Sequence, residues 1–122
     1  MGRAIADTDE ILIVEDDILV RVVVAEAMED AGFRVVTAEN GDEAMRYLIE
    51  GMRPAAVITD IEMPGDVDGI KLARWLSEQA SSVRVLVVSG RHTEGSELLP
   101  QGAGFLAKPF GLDDLVARVR GH

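Results

Sequence analysis

Four places along the chain carry side chains that could do chemistry together. They are the acidic triplet Glu15-Asp16-Asp17, the carboxylate of Asp60, the hydroxyl of Ser89 and the ammonium of Lys108. Each follows directly on a short apolar run: Ile11–Val14, Ala55–Thr59, Val83–Val88 and Gly104–Ala107 in turn. Taken singly, each has an ordinary structural explanation. An acidic run after a strand solvates a loop and caps the next helix. An Asp opening a loop forms an Asx turn. Ser89 before Gly90 suits a turn, and Lys108 before Pro109 suits the surface. Taken together the groups are complementary. Two carboxylates about 4 Å apart repel by about 4 kcal/mol at an effective dielectric of about 20, and without compensation one of them takes up a proton. A hard divalent cation with oxygen ligands relieves that repulsion, and Mg²⁺ typically uses one or two carboxylates, water and a phosphate. The chemistry open to such a set is attack of a carboxylate on a phosphoryl group whose oxygens a metal and a lysine neutralise.

For these groups to meet, the chain must bring four strand ends to one edge. Apolar runs of Ile11–Val14, Phe33–Thr37, Ala55–Thr59, Val83–Val88 and Gly104–Ala107 are short, rich in β-branched residues and not alternating, as strands buried on both faces are. Between and after them lie amphipathic segments predicting helices over Ile18–Ala31, Asp42–Glu50, Gly69–Gln79, Thr93–Leu99 and Leu112–Arg120. Asp17 and Asn40 suit N-caps, and Gly32 and Gly51 suit C-caps. Strand followed by helix, repeated along the chain, implies a doubly wound five-stranded parallel sheet with helices on both faces. Right-handed crossovers and a central first strand give the flavodoxin-like order 2-1-3-4-5. In such α/β sheets function gathers at the carboxyl ends of the strands, near the point where the strand order reverses.

The bulk properties narrow the function classes. With 122 residues the chain suits one core; we expect an N-terminal extension over 1–9 and a single domain over 10–122. Twelve basic against 22 acidic residues give a net charge of −10. That disfavours direct nucleic-acid binding, which relies on cations facing phosphates, and suits a cation ligand or a basic partner. There is no cysteine, so disulfide and thiolate chemistry are excluded. No apolar run approaches the length of a membrane span and the first residues carry no signal-like apolar stretch, so the expectation is a cytoplasmic protein without a membrane partner.

The segments ILIVEDD (11–17), VITDIEMPGDVDG (57–69), VLVVSG (85–90) and FLAKPF (105–110) resemble the signatures of response-regulator receiver domains, the CheY-like family of two-component signalling. They stand in the family's order over nearly the whole chain. The resemblance implies the (βα)5 receiver sheet and with it the strand order 2-1-3-4-5. It also implies roles. Asp60 is the expected phosphoacceptor. Asp16 and Asp60 bind Mg²⁺, Glu15 acts at the metal through water, and the backbone carbonyl of Glu62 completes the protein ligands. Lys108 pairs with the phosphoryl group, and Ser89 is the switch hydroxyl. The Lys108–Pro109 peptide is expected to be cis. The phosphoryl donor implied is a histidine kinase or a histidine phosphotransfer protein. The chain ends shortly after the last predicted helix, so its output is expected to be a protein contact, as a stand-alone receiver or as the receiver of a hybrid kinase.

The sequence departs from the common family pattern in three places. The loop after Asp60 is one residue longer and carries the extra acids Asp66 and Asp68. The stretch from Ser89 to Lys108 is a few residues short, and Pro100 falls where the fourth helix would continue, so that helix is expected to be short or irregular. The position of the switch aromatic holds Phe105, which lacks a tyrosine hydroxyl. Arg91, two residues beyond Ser89, and Glu62, two beyond Asp60, are expected to flank the route of the water that removes the phosphoryl group.

A helical wheel for the first helix, at about 100° per residue, puts Arg21, Glu26, Glu29 and Asp30 on one half. It sends Val20, Val23, Val24, Ala27, Met28 and Ala31 toward the sheet. Ile18, Leu19, Val22 and Ala25 then fall on the polar half, where core burial does not account for them. In receivers this helix and the loop after the last strand form the docking face for the donor. Ile18, Leu19, Val22, Pro109 and Phe110 are therefore expected to contact a helical partner or a second copy of the chain in a homodimer. Two other functions fit the residues less well. An aspartyl-phosphate phosphatase needs a second Asp two residues after its nucleophile, where this chain has Glu62. A degenerate receiver that only binds proteins would lack one of the acids, Asp60 or Lys108, and all are present.

Overall fold

A computed structural model of the chain describes residues 9–79, 82–90 and 99–121. Five parallel strands, β1 (Glu10–Val14), β2 (Arg34–Ala38), β3 (Ala56–Asp60), β4 (Arg84–Ser89) and β5 (Gly104–Ala107), form one sheet in the order β2-β1-β3-β4-β5. Four helices are described: α1 (Ile18–Asp30), α2 (Gly41–Ile49), α3 (Gly69–Glu78) and α4 (Leu112–Arg120). The predicted helix at Thr93–Leu99 and the residue Arg91 fall outside the described residues, except Leu99, which packs against the core.

The central strands read as continuous apolar runs because both faces are covered. Alternate residues go to opposite sides. Leu12 and Val14 of β1, Val57 of β3 and Val87 of β4 meet Ala44, Leu48, Leu72 and Leu76 from α2 and α3. Ile11, Ile13, Ile58 and Val88 meet Val24 and Met28 of α1 and Leu115 and Val119 of α4. The helix boundaries follow local chemistry. Asp17 accepts from the Leu19 and Val20 amides, and Asn40 accepts from the Glu43 amide, each satisfying N–H groups that the first turn leaves unpaired. Gly32 and Gly51, just beyond α1 and α2, take φ of 103° and 116°, which ends the helices without a Cβ clash. Asp68 caps α3 through the Lys71 amide, so one of the extra acids of the long loop has a structural task. At the other end of the fold, the guanidinium of Arg84 donates to the Val119 carbonyl at the C-terminal turn of α4, where a cation is favoured.

On α1 the wheel is partly corrected. Ile18, Leu19 and Val22 are exposed, at 67%, 70% and 47%. Val23, expected to face the sheet, is 41% exposed, whereas Ala25, expected on the outer half, packs against the core. The reason is composition. Apolar residues occupy most of the helix circumference, so the wheel has no sharp apolar stripe to fix its rotation.

Candidate functional site

The register of the sheet decides which groups meet. β1 pairs with β3 so that Val14 lies beside Thr59, and β3 pairs with β4 so that Asp60 lies beside Val88. Glu15 and Asp16 therefore emerge next to Asp60, and Ser89 is one residue past the partner of Asp60. Ser89 in turn pairs with Ala107, which delivers Lys108 to the same edge. The Lys108 amide donates to the Ser89 carbonyl at 2.7 Å, and the Lys108–Pro109 peptide is cis.

One carboxylate oxygen each from Glu15, Asp16 and Asp60 lie within 4.8 Å of one another. The Lys108 ammonium is 2.9 Å from Asp60 Oδ2 and 3.5 Å from Glu15 Oε1. Glu15 is buried, Asp60 is largely buried and Asp16 is exposed, so the cluster opens to solvent on the Asp16 side. Burial pushes the Glu15 carboxyl above its usual range. The Asp17 amide and the Lys108 ammonium pull it back, while the charge of Asp60 and a hydrogen bond with Asp16 raise it again. Partial burial of Lys108 works against its charge. The hydrogen bond and charge of Asp60, with Glu15 behind it, outweigh that and hold the ammonium above its usual range. Three converging carboxylates of graded exposure are a donor set for a hard cation with oxygen ligands, and the cluster is suited to Mg²⁺.

The loop after β3 begins under tight control. The Ile61 amide donates to the Val88 carbonyl at 3.1 Å, and the Gly69 amide to the Ile61 carbonyl at 3.0 Å. A Cβ at Gly69 would lie 2.2 Å from the Asp60 carbonyl oxygen, so only glycine lets α3 start this close to Asp60. Glu62 is exposed in this loop, two residues beyond Asp60. Ser89 is buried at the end of β4. Phe105 lies half-buried on β5 opposite Val87, against the core layer of α2 and α3. Pro109 is exposed, whereas Phe110 is half-buried against the layer of α1 and α4 and offers only part of its ring to a partner.

Two residues near the site were missed by the sequence. Arg21, read as part of the solvated face of α1, has a side chain only 13% exposed and donates to the Glu15 carbonyl at 2.8 Å. Its offset of six residues from Glu15 carries no periodic signal across a loop and a helix start. Asp42, on the first turn of α2, accepts from the amides of Asp66 and Val67 in the loop after β3. Nothing in spacing marks a contact between residues so far apart along the chain.

Comparison with known proteins agrees with this geometry. The family model described as the response regulator receiver domain matches residues 11–120. The transcriptional regulatory protein PrrA of Mycobacterium tuberculosis is 37% identical over 113 residues, covering 90% of this chain and 48% of PrrA. The response regulator MprA of Mycobacterium sp. is 35% identical over 113 residues, with 90% and 48% covered. The chain spans about half the length of these relatives. Among solved structures, a response regulator receiver protein from Sinorhizobium medicae superposes with a TM-score of 0.86 at 26% identity, covering 92% of this chain and 91% of the other. The response regulator TrrA of Thermotoga maritima, in complex with Mg²⁺-BeF, gives 0.82 at 29% identity, covering 92% and 96%. A match running from the first strand to the last helix, in sequence and in fold alike, makes this chain a member of the response regulator receiver domain family, the CheY-like domain of two-component signalling.

Proposed function

We propose that Asp60 is the phosphoacceptor, and that a histidine kinase or a histidine phosphotransfer protein supplies the phosphoryl group. The observation that carries this reading is the contact of the Lys108 ammonium with Asp60 at 2.9 Å inside a cluster of three carboxylates. In the transfer, an Asp60 carboxylate oxygen attacks phosphorus. A P–O bond forms as the P–N bond of phosphohistidine breaks, and the imidazole leaves with that electron pair. Lys108 then faces phosphoryl oxygens in place of the bare carboxylate, and Ser89 hydrogen-bonds one of them as the switch hydroxyl, with Phe105 as the aromatic that follows it. Asp16, Asp60 and the Glu62 carbonyl would hold Mg²⁺, with Glu15 acting through water. Bound there, the cation supplies neutralisation of the phosphoryl oxygens. TrrA, similar in fold, was solved with Mg²⁺-BeF, which supports assigning the same cation.

The donor docks, in this reading, on Ile18, Leu19 and Val22 with Pro109 and the exposed edge of Phe110, next to Asp16 and Asp17. Among the described residues no helix is long and apolar enough to cross a membrane; a cytoplasmic setting is assigned with the kinase partnership. The test of the central reading is mass. A small phosphodonor with Mg²⁺ adds one phosphoryl group to the wild type, labile to hydroxylamine, and adds none to Asp60→Asn, because an amide is not a comparable nucleophile. Modification that persists in Asp60→Asn overturns the assignment.

A further inference from the structure

We propose that Asp42, on the first turn of α2, is a positioning residue for the metal and phosphoryl site: it clamps the loop after β3 and so fixes the main chain at Glu62. This rests on the reading above, in which the Glu62 carbonyl is a metal ligand.

The loop has to leave Asp60, expose Glu62 and return to start α3 at Gly69. Its near end is pinned by the bonds of Ile61 to Val88 and Gly69. Its far end is pinned from another element. Asp42 Oδ1 accepts from the Val67 amide at 3.2 Å and Oδ2 from the Asp66 amide at 3.4 Å, so one carboxylate spans two successive N–H groups. The Lys71 ammonium donates to the Asp66 carbonyl at 2.9 Å from the α3 side, so Asp66 is held through both its amide and its carbonyl.

Two glycines make room for the clamp. A Cβ at Gly41 would lie 2.0 Å from the Val67 carbonyl oxygen. A Cβ at Gly65 would lie 2.6 Å from Asp42 Oδ2, and Gly65 has φ of +101°, a conformation that side-chain-bearing residues rarely adopt. The extra length of this loop, which would otherwise loosen the ligand at Glu62, is thereby taken up against α2. The segment that carries the Glu62 carbonyl is thus tethered at both ends, at Ile61 and at Asp66. Residues that orient a ligand set without touching the metal commonly change metal affinity by about 10- to 100-fold.

An acid in the first turn also suits the N-terminus of α2, and that effect has to be separated from the clamp. The experiment compares the wild type, Asp42→Ala and Asp42→Asn by backbone-amide NMR. Asn keeps one oxygen acceptor but loses the charge. Three quantities are read: hydrogen exchange at the Asp66 and Val67 amides, Mg²⁺ affinity by titration, and thermal midpoint. The clamp predicts faster exchange at both amides and about tenfold weaker Mg²⁺ binding in Asp42→Ala, with partial recovery of both in Asp42→Asn. A helix-terminus effect alone moves the midpoint equally in the two variants and leaves Mg²⁺ affinity unchanged. Mg²⁺ affinity in Asp42→Ala within about twofold of wild type, far short of what an orienting residue gives, overturns the inference alone. A wild type that neither binds Mg²⁺ nor takes up a phosphoryl group overturns the metal reading and this inference with it.

Discussion

Lys108 keeps Glu15 and Asp60 from facing each other without relief. The side chains of Glu15 and Asp60 are 6% and 13% exposed, so their repulsion is poorly screened, and the ammonium at 3.5 Å and 2.9 Å offsets it. Replacing Lys108 by Met removes the cation and leaves the acids in place. We expect the metal-free protein to lose about 1–3 kcal/mol, the usual cost of leaving a buried polar group without its partner. The same change makes the cluster more negative, so Mg²⁺ should bind more tightly and stabilise the variant by more than it stabilises the wild type. Thermal melts of both proteins, with chelator and with saturating Mg²⁺, measure this directly. Equal gains from Mg²⁺ in the two proteins would contradict the electrostatic coupling of Lys108 to the cluster. On the proposed assignment, phosphorylation of Lys108→Met by a small donor should nonetheless be slower, because the ammonium would face charge that develops on the transferring oxygens.

At the scale of the elements, the junction of β3 with α3 is where packing and function meet. The start of α3 touches the carbonyl of Asp60, so Gly69→Ala must either shift α3 or displace Asp60. Overpacking of this kind costs about 1–3 kcal/mol, and urea denaturation should show it. Gly90→Ala is the control, because a Cβ there meets nothing within 4 Å. A Gly69→Ala protein as stable as the control would mean that the junction is more pliant than its geometry implies. The same elements explain what could be read from sequence. The gathering of Asp60, Ser89 and Lys108 at one edge was legible because each stands at the end of an apolar run, and parallel strands place such ends together whatever the details of packing. Asp17 and Asn40 were legible because capping is local. Arg21 and Asp42 were not, since their partners Glu15 and Val67 are set by how a helix lies against a loop. The rotation of α1 was half-legible: Leu19 was placed correctly on the outside, but Val23 and Ala25 exchanged places because the helix is apolar nearly all round. Changing Leu19 and Val22 together to Lys should spare the fold and small-donor phosphorylation but impair transfer from a protein donor. Unchanged transfer and an unchanged oligomeric state would remove this patch from the list of interfaces.

For the whole molecule the governing quantity is charge. The chain carries a net −10, and among the described residues Glu15, Asp16 and Asp60 bring three carboxylate oxygens within 4.8 Å of one another. Folding forces those groups together, so a cation that binds only the folded arrangement must stabilise it by mass action. At ten times its dissociation constant such a ligand contributes about 1.4 kcal/mol, which for a domain of this size is a rise in melting temperature on the order of 5 °C. General screening of the net charge would also raise the melting temperature, but it would do so for any salt of the same ionic strength. The comparison is therefore between Mg²⁺ and NaCl at matched ionic strength, in the wild type and in Asp16→Ala. Asp16 is the exposed member of the cluster, so its loss should leave the core intact while removing a proposed direct ligand. We expect Mg²⁺ to exceed NaCl by several degrees in the wild type, a gain of the size mass action allows, and the two salts to converge in Asp16→Ala. If Mg²⁺ and NaCl act alike in the wild type, the acidic edge of the sheet is only a negatively charged surface, and the clustering of Glu15, Asp16 and Asp60 has no specific cation behind it.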